Sequence, residues 1–203
     1  MILKKTKAPD HENGMSVVEY RRLALIALWI GLIATVGVVF VFIPNIELVI
    51  LVAFLGGVIM GPQKGFIAAA IGEAIFSALN PIGSGLGFPI LYVFQIFSVG
   101  LSGMIGGLFA NRINSIPNSL LRSILMGLIG FLLTLFYDIL TTLSFPLSTG
   151  LTEGTLWGSM TTGLVYFIMH MVSNTILFVL FAPGLIDLVN RQLLMHGLNR
   201  DLA

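Results

Sequence analysis

The chain contains no cysteine, which removes disulfides, thiolate metal sites and cysteine nucleophiles at once. Charge is almost as scarce. Asp, Glu, Lys and Arg make up 9% of the residues, against roughly 25% in an ordinary soluble domain. No G-x-x-x-x-G-K-[ST] phosphate loop and no H-E-x-x-H zinc helix occurs, so neither ATP hydrolysis nor zinc proteolysis is encoded. Ser84 stands between glycines in a turn rather than within a span, which gives no support to a membrane serine protease. The basic residues are dispersed in short segments instead of massed on one face, which argues against nucleic acid as a partner. No catalytic motif, cofactor signature or metal-ligand spacing remains.

What the chain has is apolar length. Hydrophobic residues account for 57% and the mean hydropathy is +1.02. Apolarity alone marks six stretches, roughly Leu23 to Ile43, Leu48 to Met60, Phe66 to Leu79, Phe88 to Ala110, Ile124 to Phe145 and Leu156 to Pro183. Threaded through a bilayer as six helices, they put all ten lysines and arginines on one side, leaving Glu47 and Glu153 in the opposite loops. Loops rich in Lys and Arg are cytoplasmic. The expected fold is therefore an all-α integral membrane protein, a six-transmembrane-helix bundle with its N-terminus and C-terminus in the cytoplasm. Residues 1–20 form a cytoplasmic tail, 21–188 the membrane domain and 189–203 a second tail. The apolar run after Arg22 is too long for a signal peptide and lacks a small-residue cleavage site, so it reads as a retained helix.

The second and third stretches are short, since a span needs about 20 residues; a re-entrant hairpin is the alternative there. Gly61-Pro62-Gln63-Lys64-Gly65 provides the break between them. Asn80 to Gly85 and Pro146 to Gly154 read as outer turns. Small residues spaced four apart, such as Gly57 and Gly61 or Gly103 and Gly107, suit close helix packing in lipid. Along one side of the first helix run Ala24, Ala27, Gly31 and Ala34, a smooth surface suited to a partner's helix.

Polar residues inside the spans are costly and tend to mark sites. Glu73, Ser77 and Asn80 fall on helix 3; Gln95, Ser98 and Ser102 on helix 4; Thr134, Asp138 and Thr141 on helix 5; Thr162, Tyr166, His170 and Asn174 on helix 6. Steps of three or four place each set on one helix face. At a rise of about 1.5 Å per residue, Gln95 and Asp138 lie roughly 12 Å below the outer surface, with Glu73 and His170 near the midplane. Together with Asn80, Tyr92, Tyr137, Tyr166 and Asn174, they outline an outward-facing pocket formed by helices 3 to 6 for a small, partly aromatic, hydrogen-bonding solute. Ser98, Ser102 and Thr134 are expected to bond back to their own helices. His170 is placed opposite Glu73 as a structural pair, or within the site. Asp138 is the strongest site candidate, because no basic side chain in the spans neutralises it.

The turn Gly56-Gly57-Val58-Ile59-Met60-Gly61-Pro62-Gln63-Lys64-Gly65-Phe66, the six-helix length, and the segment Phe167 to Pro183 with His170 and Asn174 resemble the substrate-binding S components of energy-coupling factor (ECF) vitamin transporters. The resemblance implies a multi-pass protein of a prokaryotic plasma membrane that captures a vitamin or related micronutrient from outside. It also implies docking on a transmembrane T component driven by two ABC ATPases. In such proteins a small-residue pattern on helix 1 makes that contact; Ala27 and Gly31 fit its spacing, with glycine in place of the second alanine. The loop Pro44-Asn45-Ile46-Glu47 is shorter than in several relatives, which moves the expected lid to Asn80–Gly87 or Ser144–Trp157. Two other readings are a self-contained proton-coupled carrier, using Glu73, His170 or Asp138 as a relay, and a membrane scaffold.

Overall fold

The computed structural model describes residues 16–43 and 46–195, with side chains through 192. Lys4, Lys5, Lys7, Pro44, Asn45 and Arg200, and with them most of both expected tails, lie outside the described residues. Among the described residues there are six α-helices and one 3-10 turn and no strand. The helices are α1 (Val17–Phe40), α2 (Val49–Met60), α3 (Pro62–Leu79), α4 (Pro89–Asn114), α5 (Ser119–Thr149) and α6 (Glu153–Met195), with the 3-10 turn at Gly85–Gly87. Four of them, α1, α4, α5 and α6, are long and apolar enough to cross a membrane. The chain therefore has the build of a membrane protein.

Local chemistry sets the ends. Ser16 caps α1 by accepting from the Glu19 amide, while the Glu19 carboxylate accepts from the Ser16 amide, a reciprocal capping box. Gly61 sits at φ 81° and is followed by Pro62 at the first turn of α3. Only glycine adopts that backbone cheaply, and the proline fits a first turn whose amide has no partner. Asn118 caps α5 through its side chain, and Gly150 at φ 114° ends it.

Two helix ends differ from the sequence expectation. Pro146 does not open a loop: α5 continues to Thr149, leaving only Gly150, Leu151 and Thr152 before α6. Likewise α6 passes through Pro183 and reaches Met195. Ser and Thr read as loop formers in water, but here they bond back to helix carbonyls: Ser148 to Ser144, Thr149 to Phe145 and Ser144 to Thr141. With Ser144–Trp157 mostly helical, that segment is too short to act as a lid.

The centre of the bundle is α2. It is only 12 residues long, about 18 Å at 1.5 Å per residue, and is buried on nearly every side. All five other helices pack against it. Ile50, Leu51 and Phe54 of α2 meet Met126 and Leu133 of α5 and Phe178 and Ile186 of α6 in the main core, with the Phe54 and Phe178 rings edge to face at 5.5 Å. Toward α4 the contact is backbone on backbone, since a methyl at Gly57 would overlap the Gly103 carbonyl. Toward α1, the Trp29 indole donates to the Val52 carbonyl at 2.9 Å and lies over Gly56.

The helix ends gather the described cations at one end of the bundle. There Gly107 abuts Pro62, Asn190 donates to Asn114, and Arg122 pairs with Asp187 while donating to the Pro183 carbonyl. Arg112, Lys64 and Arg191 belong to the same helix ends, and Arg21 and Arg22 open α1.

Candidate functional site

His170 and Asp138 form the heart of the site. They project from α6 and α5, the most extensively packed helix pair in the protein, and are 6% and 5% exposed. His170 Nδ1 lies 2.7 Å from Asp138 Oδ1. An ionised carboxylate only accepts, so the hydrogen of this bond is on Nδ1. That fixes the ring and leaves Nε2 pointing away, toward the Glu47 carboxylate at 3.4 Å, close enough for charge pairing but outside hydrogen-bond geometry. Two buried atoms are thereby left without a hydrogen-bond partner, Asp138 Oδ2 and His170 Nε2. Tyr137 packs its ring edge to face on the imidazole at 5.7 Å.

These groups line a cleft of about 330 Å³ with Thr141, Thr142, Gly163, Tyr166 and Phe167. Gly163, Tyr166, Phe167 and His170 occupy one face of α6, and Asp138, Thr141 and Thr142 the opposing face of α5. The cleft thus runs from the buried Asp138–His170 pair toward the α5–α6 hairpin. Its charged groups are two carboxylates and one imidazole, with no lysine or arginine in the lining.

The remaining expected residues separate into two groups. Gln95 and Tyr137 are joined: Ser77 donates to Gln95 Oε1 at 2.8 Å, and Gln95 Nε2 donates to the Tyr137 hydroxyl at 3.2 Å. This chain ties α3, α4 and α5 together directly behind the cleft. Glu73, Asn80, Tyr92, Gln95 and Asn174 do not line the cleft. Tyr92 donates to the Ala74 carbonyl at 3.1 Å. Asn80 is half-buried at the end of α3, where its Oδ1 accepts from the Ile82 amide to build a local turn. Asn174 is fully buried, one turn beyond His170, with Oδ1 unpartnered. Glu73 is 1% exposed, also with one oxygen unpartnered.

Three details were open in the sequence and are resolved by geometry. His170 pairs with Asp138, not Glu73, because α3 and α6 do not pack together. Ser98, Ser102 and Thr134 bond back to Phe94, Ser98 and Gly130 carbonyls, as helix-satisfied hydroxyls. Glu47, read as a loop charge, reaches the site from the lead-in to α2. On α1, the Trp29 side faces the core while Ala24, Ala27 and Gly31 are exposed, and a methyl added at Gly31 would meet nothing within 4 Å. Comparison of the chain with known protein families, with curated proteins and with solved structures finds no match.

Proposed function

We propose that this is a six-span protein of a prokaryotic plasma membrane, both termini cytoplasmic, that serves as the substrate-binding S component of an ECF transporter. It captures a vitamin or related micronutrient from outside and hands it to a T component driven by two ABC ATPases. The observation that carries this reading is the α5–α6 cleft, lined by Asp138 and His170, in which two buried polar atoms, Asp138 Oδ2 and His170 Nε2, make no hydrogen bond within the protein. Desolvated polar atoms are stabilised by a bound solute that supplies the missing hydrogen bonds. Two further features support it. The described cations collect at the end of the bundle away from Glu153, which accords with a cytoplasmic face there. The exposed small-residue side of α1, at Ala27 and Gly31, offers a docking surface for the T component.

The test is mass spectrometry of small molecules released from the denatured, detergent-purified protein, with Asp138→Asn alongside. A single stoichiometric compound, depleted in the variant, is the expected result, and an empty wild type of good monodispersity counts against the reading. An imidazole flanked by two carboxylates is also the geometry of a proton relay. Uptake by the purified protein alone, driven by a pH gradient without ATPase subunits, would replace the S-component reading with a proton-coupled carrier.

A further inference from the structure

We infer that the α5–α6 cleft selects a cationic, planar, nitrogen-containing solute, recognised by Asp138 and Glu47 from the two sides of His170 and held against the rings of Tyr137, Tyr166 and Phe167. The inference rests on the solute-binding reading and adds the charge and shape of the solute.

Charge comes first. The cleft presents two carboxylates and no lysine or arginine. The described basic residues with assigned helix positions sit at the far ends of their helices. An anion entering here meets two carboxylates against a single imidazole that already stands between them, an excess of like charge that is strongly unfavourable in a poorly hydrated site. A neutral solute meets acceptors that ask for donors. A cation satisfies both requirements, because each N–H it brings is a charge-assisted donor to an acceptor already desolvated.

The arrangement of the acceptors argues for an extended organic cation over a metal ion. Asp138 and Glu47 approach opposite nitrogens of the same imidazole, Nδ1 at 2.7 Å and Nε2 at 3.4 Å. The ring itself therefore separates the two carboxylates, and they do not converge on one point. Among the described residues, no cluster of three or more acidic or histidine side chains is positioned to hold a metal. An amidinium, a protonated aminopyrimidine or a similar flat cation presents N–H groups along an edge and matches acceptors spaced in this way.

The walls agree with a flat cation. Tyr137 is fixed in place, its ring against His170 and its hydroxyl accepting from Gln95. Tyr166 and Phe167 enter the lining from the adjacent turn of α6, and Tyr166 remains 61% exposed. Aromatic faces attract cations, most strongly when water is excluded. A cleft of about 330 Å³ suits a one- or two-ring solute, being near the small end of ligand pockets.

The test uses three probes of one shape and different charge, benzamidinium, benzamide and benzoate, titrated at neutral pH into detergent-purified protein and read by calorimetry or native mass spectrometry. The expected order is benzamidinium, then benzamide, then benzoate, with the cation preferred by about tenfold or more, one charge-assisted bond's worth of discrimination. The preference is expected to collapse in Glu47→Gln, whose side chain is one-quarter exposed and can change without emptying a buried space. Asp138→Asn, checked for monodispersity, should abolish it. Equal or tighter binding of benzamide or benzoate overturns the inference. So does a co-purifying solute that is neutral or anionic at pH 7, although in that case the solute-binding reading stands. A protein that carries no compound and binds none of the three probes at millimolar concentration overturns both.

Discussion

Asp138 and His170 hold each other by a 2.7 Å hydrogen bond across the α5–α6 contact, and each still has one buried polar atom without a partner. A pair built only for stability would be closed on both sides, since half-satisfied buried networks are costly. Both residues line the cleft.

Asp138→Asn should therefore affect binding more than folding. The amide oxygen can still accept from His170 Nδ1, but the negative charge is gone, and solute affinity is expected to fall about tenfold or more. Glu73→Gln, one helix away and outside the cleft lining, is expected to leave affinity within about threefold of wild type, under 1 kcal/mol. Calorimetry with the co-purified compound distinguishes the two. A larger loss in the Glu73 variant than in the Asp138 variant would move the site to α3.

Glycine substitutions should split sharply by position. Gly57→Ala forces its methyl into the Gly103 carbonyl, backbone against backbone, so α2 and α4 must separate. A cost of about 1–3 kcal/mol or more is expected, as for overpacked sites. Gly31→Ala meets open space and gains helix propensity, so it should be neutral to slightly stabilising, by up to about 1 kcal/mol. Thermal unfolding in detergent, followed by aggregation or fluorescence, reads both.

Acid should weaken the end of the bundle where α6 extends past Pro183. There the hydrogen bond from Arg122 holds the Asp187 carboxyl below the usual carboxylate range. A lowered folded-state value means that the contribution is fully present above the unfolded value, about 3.9, and is lost as pH falls through the lowered one. Asp187 is 41% exposed, so the pair is expected to contribute only about 0.2–1 kcal/mol at neutral pH. Asp187→Asn should lower the unfolding temperature slightly at pH 7, by a difference that shrinks as pH falls below the ordinary carboxylate range. An unchanged difference at low pH would show that the pair is not the source.

Ala27→Leu tests the division between capture and delivery. Its side chain is on the exposed face of α1, away from Trp29 and the core, so solute binding and fold should be unchanged. Uptake in vesicles reconstituted with T component and ATPases should fall to background. Wild-type uptake would remove α1 from the docking surface.

Much of the helix layout was legible because lipid punishes unpaired backbone so heavily that long apolar runs admit one structure. Asp138, His170 and Tyr137 were legible for the same reason, as polar groups where polarity is expensive. Pro146 and Pro183 misled because proline and its Ser and Thr neighbours carry a turn signal calibrated on water. Inside a packed membrane helix, the hydroxyls of Ser144, Ser148 and Thr149 satisfy carbonyls that would otherwise be left bare. Glu47 was missed because its place in the chain, between two apolar stretches, looks like a surface loop. The available signal was the shortness of the stretch that follows: a helix of 12 residues is more often a buried core helix than a full span, so the residue leading into it can reach the interior. Thr142 and Phe167 were recoverable by extending the faces of Asp138 and His170 one turn outward, and Gly163 by extending the His170 face two.

The brevity and burial of α2 bear on how the protein is made. A segment of 12 apolar residues is too short to be recognised and released into the bilayer by itself during synthesis, and its lining of core contacts leaves it almost no face to offer to lipid. Its burial is complete only when α4, α5 and α6 are present along with α1 and α3 to close around it. Assembly is thereby made to wait for the C-terminal half of the chain, and a ribosome that stops early releases a product whose central helix has nowhere to go. Because Glu47 stands just ahead of that helix and lines the α5–α6 cleft, the cleft is completed in the same late step.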